Sequence, residues 1–157
     1  MFEIRRATVD DVAILTRFRR AMFQDMGKGT PEALDAADIK FIPWAVRKLA
    51  SGEYLGWLVV TPQDEVIAGV GLWLIDWPPG SIDQSDYRGY IYNVYTCPNY
   101  RRRGLARKLV ETALDYCREN EIKIVALHAS EQGRSLYESL GFKPTNEMRL
   151  QIPNPNL

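Results

Sequence analysis

Three arginines followed by glycine, Arg101-Arg102-Arg103-Gly104-Leu105-Ala106, are the residues of this chain with the clearest chemical capacity. A strand pattern runs from Gly89 to Thr96, Cys97-Pro98-Asn99 turn the chain, and a helical pattern begins at Gly104. A helix start offers unpaired backbone N–H groups and the positive end of the helix dipole, which together attract anions. Gly104 has no side chain, so a phosphate can approach its backbone closely, and Ala106 keeps the next turn small. Two adjacent phosphates suit such a loop better than a lone carboxylate. A solvated basic helix start and nucleic-acid binding are the competing uses of three arginines. No basic stripe continues elsewhere in the sequence.

Other side chains of catalytic type are sparse. Tyr137 carries a phenol that can donate a proton, or it is a packed aromatic that anchors its helix. His128 is the only histidine, and its place near the end of an apolar run beside Leu127 and Ala129 reads as structural rather than as a base. Asp76, Asp83 and Asp86 flank a loop that leads into the Gly89 strand. They could bind a cationic amine or relay a proton through water, although loop acids of this kind are commonly just solvated. Trp44, Trp57, Trp73 and Trp77 could line a pocket, with core packing the reading for most of them. Cys97 and Cys117 give neither a disulfide framework nor metal-type spacing, so they read as free thiols in a reducing compartment, and no metal is expected. Gly69-Val70-Gly71 is too short for a dinucleotide fingerprint and lacks the helix one needs.

The elements that must position these groups follow from periodicity and breakers. Phe2 to Ala7 reads as a strand, and Thr8 as the cap of a helix running to about Met26, with Val12, Leu15, Phe18 or Arg19, and Met22 at helical spacing. Gly27 to Pro31 interrupts it, and a second helix with Ile39, Ile42, Val46 and Leu49 on one face ends at Ser51-Gly52. Tyr54 to Thr61 and Val66 to Ile75 form an antiparallel hairpin. Gly104 to Asn120 is a helix, Ile122 to Ala129 a strand apolar enough to be covered on both faces, and Glu131 to Leu140 a helix capped by Ser130 and stopped by Gly141. Met148 to Ile152 is a final strand. The β-α-β crossover from Gly89 to Ala129 makes its two strands parallel neighbours. The fold class is therefore α/β: a mixed central sheet, mostly antiparallel, with helices on both faces.

Bulk properties narrow the field further. The chain has 157 residues, which suits one domain over 1–157. Hydrophobic residues make up 46%, with four Trp, eight Tyr and five Phe, a globular composition. Twenty basic and twenty acidic side chains balance to zero, which argues against electrostatic capture by nucleic acid. No apolar run approaches the ~20 residues that span a bilayer, and the N-terminus lacks a signal-peptide pattern. The expectation is a cytoplasmic protein with no nucleic-acid or membrane partner.

Two of these segments resemble the motifs of one family. Arg101 to Ala106 is similar to the Arg/Gln-x-x-Gly-x-Gly/Ala loop of the GNAT acetyltransferase superfamily, with Val94 to Tyr100 as its strand-and-turn lead-in. Leu136-Tyr137-Glu138-Ser139-Leu140-Gly141-Phe142 is similar to that family's Leu-Tyr-x-x-x-Gly-Phe segment, and the order of elements agrees over nearly the whole chain. The resemblance implies that strands 89–96 and 122–129 splay apart to admit the pantetheine arm of acetyl-CoA. Backbone groups of Val94, Tyr95 and Thr96 would pair with that arm. Backbone N–H groups of Arg101, Arg102, Arg103, Gly104, Leu105 and Ala106 would hold the pyrophosphate. Tyr137 would act as general acid toward the leaving sulfur, and an N–H near Val94 or Tyr95 would polarise the thioester. Ser130 stands where the family often has a CoA-contacting Asn, and Gly133 where it has Ala. The Gly89 to Thr96 strand has no Asp or Glu, so one usual seat of the base is empty. The implied reaction is acetyl transfer to a primary amine by direct attack. The acceptor is a small amine, an amino acid, an antibiotic, or a protein N-terminus or lysine, shaped by residues 24–38, the loop after Ile75 and a C-terminal strand pair. A non-catalytic acyl-CoA sensor on the same fold is the alternative, and a homodimer stays open.

Overall fold

Local caps set where the first helices begin. The Thr8 hydroxyl accepts the Asp10 N–H at 3.3 Å while the Asp11 carboxylate accepts the Thr8 N–H at 2.8 Å, a reciprocal capping box. Arg5 clamps the same carboxylate from the neighbouring strand at 2.8 and 2.9 Å, and these bonds hold the Asp11 carboxyl below its usual range. The Thr30 hydroxyl accepts the Ala33 N–H at 3.2 Å, and Pro31 occupies the first helical position of the next helix.

A computed structural model describes residues 1–155, two short of the expected 1–157 domain. Its elements are β1 (Glu3–Arg6), α1 (Val12–Asp25), α2 (Pro31–Ser51), β2 (Tyr54–Val60), β3 (Val66–Asp76), β4 (Tyr87–Thr96), α3 (Leu105–Glu119), β5 (Val125–Leu127) and α4 (Arg134–Ser139). The sheet order is β1-β2-β3-β4-β5, antiparallel except for the parallel β4–β5 pair. The expected mixed sheet and β-α-β crossover are both present. Helices cover both faces. Leu105, Leu109, Val110 and Ala113 of α3 pack on one face with Leu55, Trp57 and Val59. On the other face Val12, Leu15 and Phe18 of α1 and Phe41 and Ala45 of α2 pack with Leu58, as period-two alternation along β2 requires.

Three expectations need correction. Of the α2 face read from periodicity, Ile39, Ile42 and Val46 are exposed, at 72%, 43% and 36%, and Leu49 packs against the core, while Leu34, Phe41 and Ala45 are buried. The helix carries two overlapping apolar stripes, and the one containing Phe41 and Trp44 faces inward because aromatic rings bury more area. Residues 148–152 form no strand: Met148, Leu150 and Ile152 are 94%, 83% and 81% exposed. Their alternation marks residues able to pair, but this chain's sheet ends at β5, a three-residue edge. That strand is also shorter than the expected 122–129, and as an edge it is only half-buried.

Candidate active site

The parallel pair β4–β5 closes over only three registers, Gly89 with Val125, Tyr90 with Ala126 and Ile91 with Leu127. Beyond Ile91 the strands part, so residues 92–96 of β4 present one edge with no strand partner. The parting coincides with a bulge. Gly69 pairs with Tyr95 and Gly71 with Tyr92, so β4 carries one extra residue there, and Asn93 takes φ 58. A bulge bends its strand and increases local twist, which turns the free edge of β4 away from β5.

At the C-terminal end of β4 the chain makes a 3-10 turn, Pro98–Tyr100, and enters α3. Arg102 (φ 61) and Gly104 (φ 75) are left-handed, a conformation glycine adopts without strain. The first backbone bond into α3 runs from Lys108 N–H to Gly104 at 3.1 Å. Among the described residues, the N–H groups of residues 102–107 have no protein acceptor. A Cβ built on Gly104 meets nothing within 4 Å, so the space over these amides is open. The result is a concave row of donors at a helix start, an arrangement suited to phosphate.

The three arginines divide their work. The Arg101 N–H donates to Pro98 O at 3.3 Å, and its side chain turns back to donate to Thr96 O at 2.9 Å and to pair with Asp25 at 2.5 Å. Arg101 therefore ties the loop to β4 and α1, and its own amide is engaged within the turn. Arg103 lies over the Tyr100 ring at 5.4 Å. Arg102 has no hydrogen bond or ion pair among the described residues.

A cleft of about 440 Å³ runs between the parted strands, lined by Val94, Tyr95 and Thr96 on one side and by Ala129, Ser130 and Tyr137 on the other. The Ser130 hydroxyl accepts the Gly133 N–H at 3.1 Å, so it caps the turn into α4 and keeps its own hydrogen to donate. Tyr137 is buried in the core cluster that also holds the inner residues of α3, its ring 6.0 Å from that of Phe142 at 73°. Its hydroxyl has no partner among the described residues, and burial pushes it above its ordinary value, so it stays protonated. A Cβ on Gly133 would lie 2.8 Å from Tyr137 Cε2 and 3.2 Å from Ser130 Oγ. Gly133→Ala, which supplies the residue of the motif this segment resembles, is therefore expected to displace this phenol and, on the acetyltransferase expectation, to lower kcat up to about tenfold with a CoA-induced Tm shift retained. Steady-state kinetics beside a melting curve check it; unchanged kcat would mean the phenol's position is not critical.

His128, expected to be structural, is exposed and lines the same cleft. Its ring stands edge-on to Tyr90 at 5.4 Å, and Arg149 Nη2 lies 2.8 Å from Nε2. A guanidinium only donates, so that ring nitrogen accepts. Its position was hidden from sequence because β5 ends before it. Asp76 and Asp86 line a different depression, beside Tyr87 and Tyr116. Asp83 is buried and accepts the Ser85 N–H at 3.0 Å, which staples its own loop. None of the three joins the cleft. Burial pushes the Cys97 thiol up, which leaves it protonated and a weak nucleophile. Trp57 is core, whereas Trp44 and Trp73 belong to a run of ring contacts that reaches Tyr92 and Tyr90. Groups of metal-ligating side chains are absent among the described residues, and none of the described helices is long and apolar enough to cross a membrane.

With this geometry in place, comparison with known proteins is informative. The model of the Acetyltransferase (GNAT) family matches residues 7–142. A crystal structure of a GCN5-related N-acetyltransferase from Ralstonia eutropha JMP134 superposes with a TM-score of 0.90 at 37% identity, covering 97% of this chain and 99% of that one. Another, described as a "predicted acetyltransferase with acetyl-CoA" from Clostridium acetobutylicum, gives a TM-score of 0.88 at 27% identity over 98% and 96% of the two chains. An uncharacterized N-acetyltransferase of Archaeoglobus fulgidus is 28% identical over 109 residues, 66% of this chain and 72% of that one.

Proposed function

The chain belongs to the GNAT acetyltransferase family, and from that membership we propose that it transfers an acetyl group from acetyl-CoA to a primary amine by direct attack on the thioester. The observation that carries this reading is one coincidence: open amides at residues 102–107 stand at the end of a strand whose edge is also unpartnered. Both features fit a ligand that is a diphosphate at one end and an extended amide chain at the other.

Acetyl-CoA, when bound, supplies the acetyl group as a thioester. In this reading the amides of Arg102, Arg103, Gly104, Leu105 and Ala106 hold the pyrophosphate, with Arg102 free to add its charge. The backbones of Val94, Tyr95 and Thr96 hold the pantetheine arm, and an N–H near Val94 or Tyr95 polarises the thioester carbonyl. Ser130 donates its hydroxyl hydrogen to the same ligand. Tyr137 donates its phenolic proton to the departing sulfur. Asp25, the carboxylate lining this cleft, is bound by Arg101, and the accepting nitrogen of His128 is bound by Arg149, so in this reading the amine attacks already deprotonated.

An amine panel incubated with acetyl-CoA tests the reading. The expected result is release of free thiol that depends on both amine and enzyme. CoA that raises Tm while no amine releases thiol would overturn catalysis in favour of a sensor. Salt-sensitive nucleic-acid binding without any CoA effect on melting would overturn both.

A further inference from the structure

Arg19 lies midway along α1 and lines the same cleft as Tyr137. Its guanidinium sits 4.8 Å from the Phe23 ring centroid and 5.0 Å from that of Phe41. Nη1 donates to Asn93 Oδ1 at 2.6 Å, and Asn93 Nδ2 donates in turn to the buried Tyr54 hydroxyl at 2.8 Å. Arg19 has no ion pair among the described residues. Asp38, the acid whose field reaches it, is bound at 2.8 Å by Arg20. A guanidinium has five N–H donors in a planar fork, and this one spends a single terminal nitrogen on a neutral amide. Burial also lowers its pKa, because leaving water weighs against the charged form.

A half-buried cation without an anion is less favourable than one paired with an anion that arrives with a ligand. The pyrophosphate is not that anion, since the open amides lie past the far end of β4, whereas Asn93 stands where β4 leaves β5. That point is where a thioester lying along the free edge of β4 would meet an incoming amine. Asp25 is neutralised by Arg101, so the described cleft holds no acid that competes for Arg19. Resting on the acetyltransferase reading, we propose that Arg19 binds a carboxylate carried by the acceptor, so that the acceptor is an amino acid whose amine and carboxylate lie close together. Phe23, Tyr90 and Tyr92 beside it suit an apolar or aromatic side chain. The unused edge of the guanidinium fork matches a carboxylate in a bidentate pair.

Matched acceptors decide this: phenylalanine against phenethylamine, leucine against isoamylamine, and methionine against 3-(methylthio)propylamine, each with acetyl-CoA and thiol detection. The wild-type protein is expected to favour the carboxylated member by about tenfold or more in kcat/KM. Arg19→Gln is expected to collapse that preference mainly through a raised KM, and Arg19→Lys, which keeps the charge without the fork, to fall between. The CoA-induced Tm shift reports that each variant is folded and holds CoA. Should the variants not fold, 3-phenylpropionate is expected to inhibit the wild-type enzyme competitively against the amine. Turnover confined to amines without a carboxylate, an equal loss on both members of a pair, or no inhibition by 3-phenylpropionate would overturn the assignment and leave the acetyltransferase reading standing. Failure to acetylate any amine would overturn that reading and this one with it.

Discussion

Gly104→Glu is expected to lose the whole of its CoA-induced stabilisation. The wild-type protein at ~100 times the dissociation constant of CoA gains about 2.7 kcal/mol, roughly 5–10 °C in Tm for a domain of this size. Gly104 is left-handed at φ 75, between amides that no protein group accepts, and the direction of its absent Cβ is open space. A glutamate there would point its carboxylate into the space the diphosphate needs and would repel it. The substitution also strains the backbone, at a cost of order 1–3 kcal/mol, so the readout is the ligand-induced shift and not the absolute Tm. Gly104→Asn is the control, because asparagine tolerates left-handed backbone better than other side chains and adds no charge. It should keep part of the shift. A full shift in Gly104→Glu would mean that the amides at 102–107 do not hold the diphosphate.

Tyr137→Phe is expected to lower kcat by about 10²–10⁴, the usual worth of a positioned proton donor. The CoA-induced Tm shift should remain, since phenylalanine keeps the ring against Gly133 and Phe142 and removes only a hydroxyl that bonds to no described residue. Single-turnover measurements locate the loss in the chemical step. Less than a threefold change would remove the phenol from the mechanism and leave it a packing residue. The pH dependence carries a sign. The acid must be protonated to act, and burial raises its pKa above the ordinary 10.0, so the alkaline fall set by this group lies above pH 10. A fall in kcat near neutrality would belong to another group.

The loop of open amides was readable from residues 94–106 alone because everything it needs is contiguous: a strand, a proline turn, a glycine free to take positive φ, and a helix start whose amides are unpaired by geometry. The Thr8 and Thr30 caps and the order of elements were readable for the same reason, since caps and periodicity are local. Tertiary structure decided what depends on distant partners. Arg101 pairs with Asp25 across 76 positions, so the arginine named first by its motif became a brace. Arg19 and Asn93, separated by 74 positions, meet only because a bulge in β4 turns Asn93 toward α1. Which stripe of α2 is buried, the exposure of Met148 to Ile152 and the place of His128 in the cleft were settled by what each side chain or edge found to pack against. Backbone preferences act within a few residues and can be read along the chain, whereas packing and charge pairing act through space and exist only once the chain has folded.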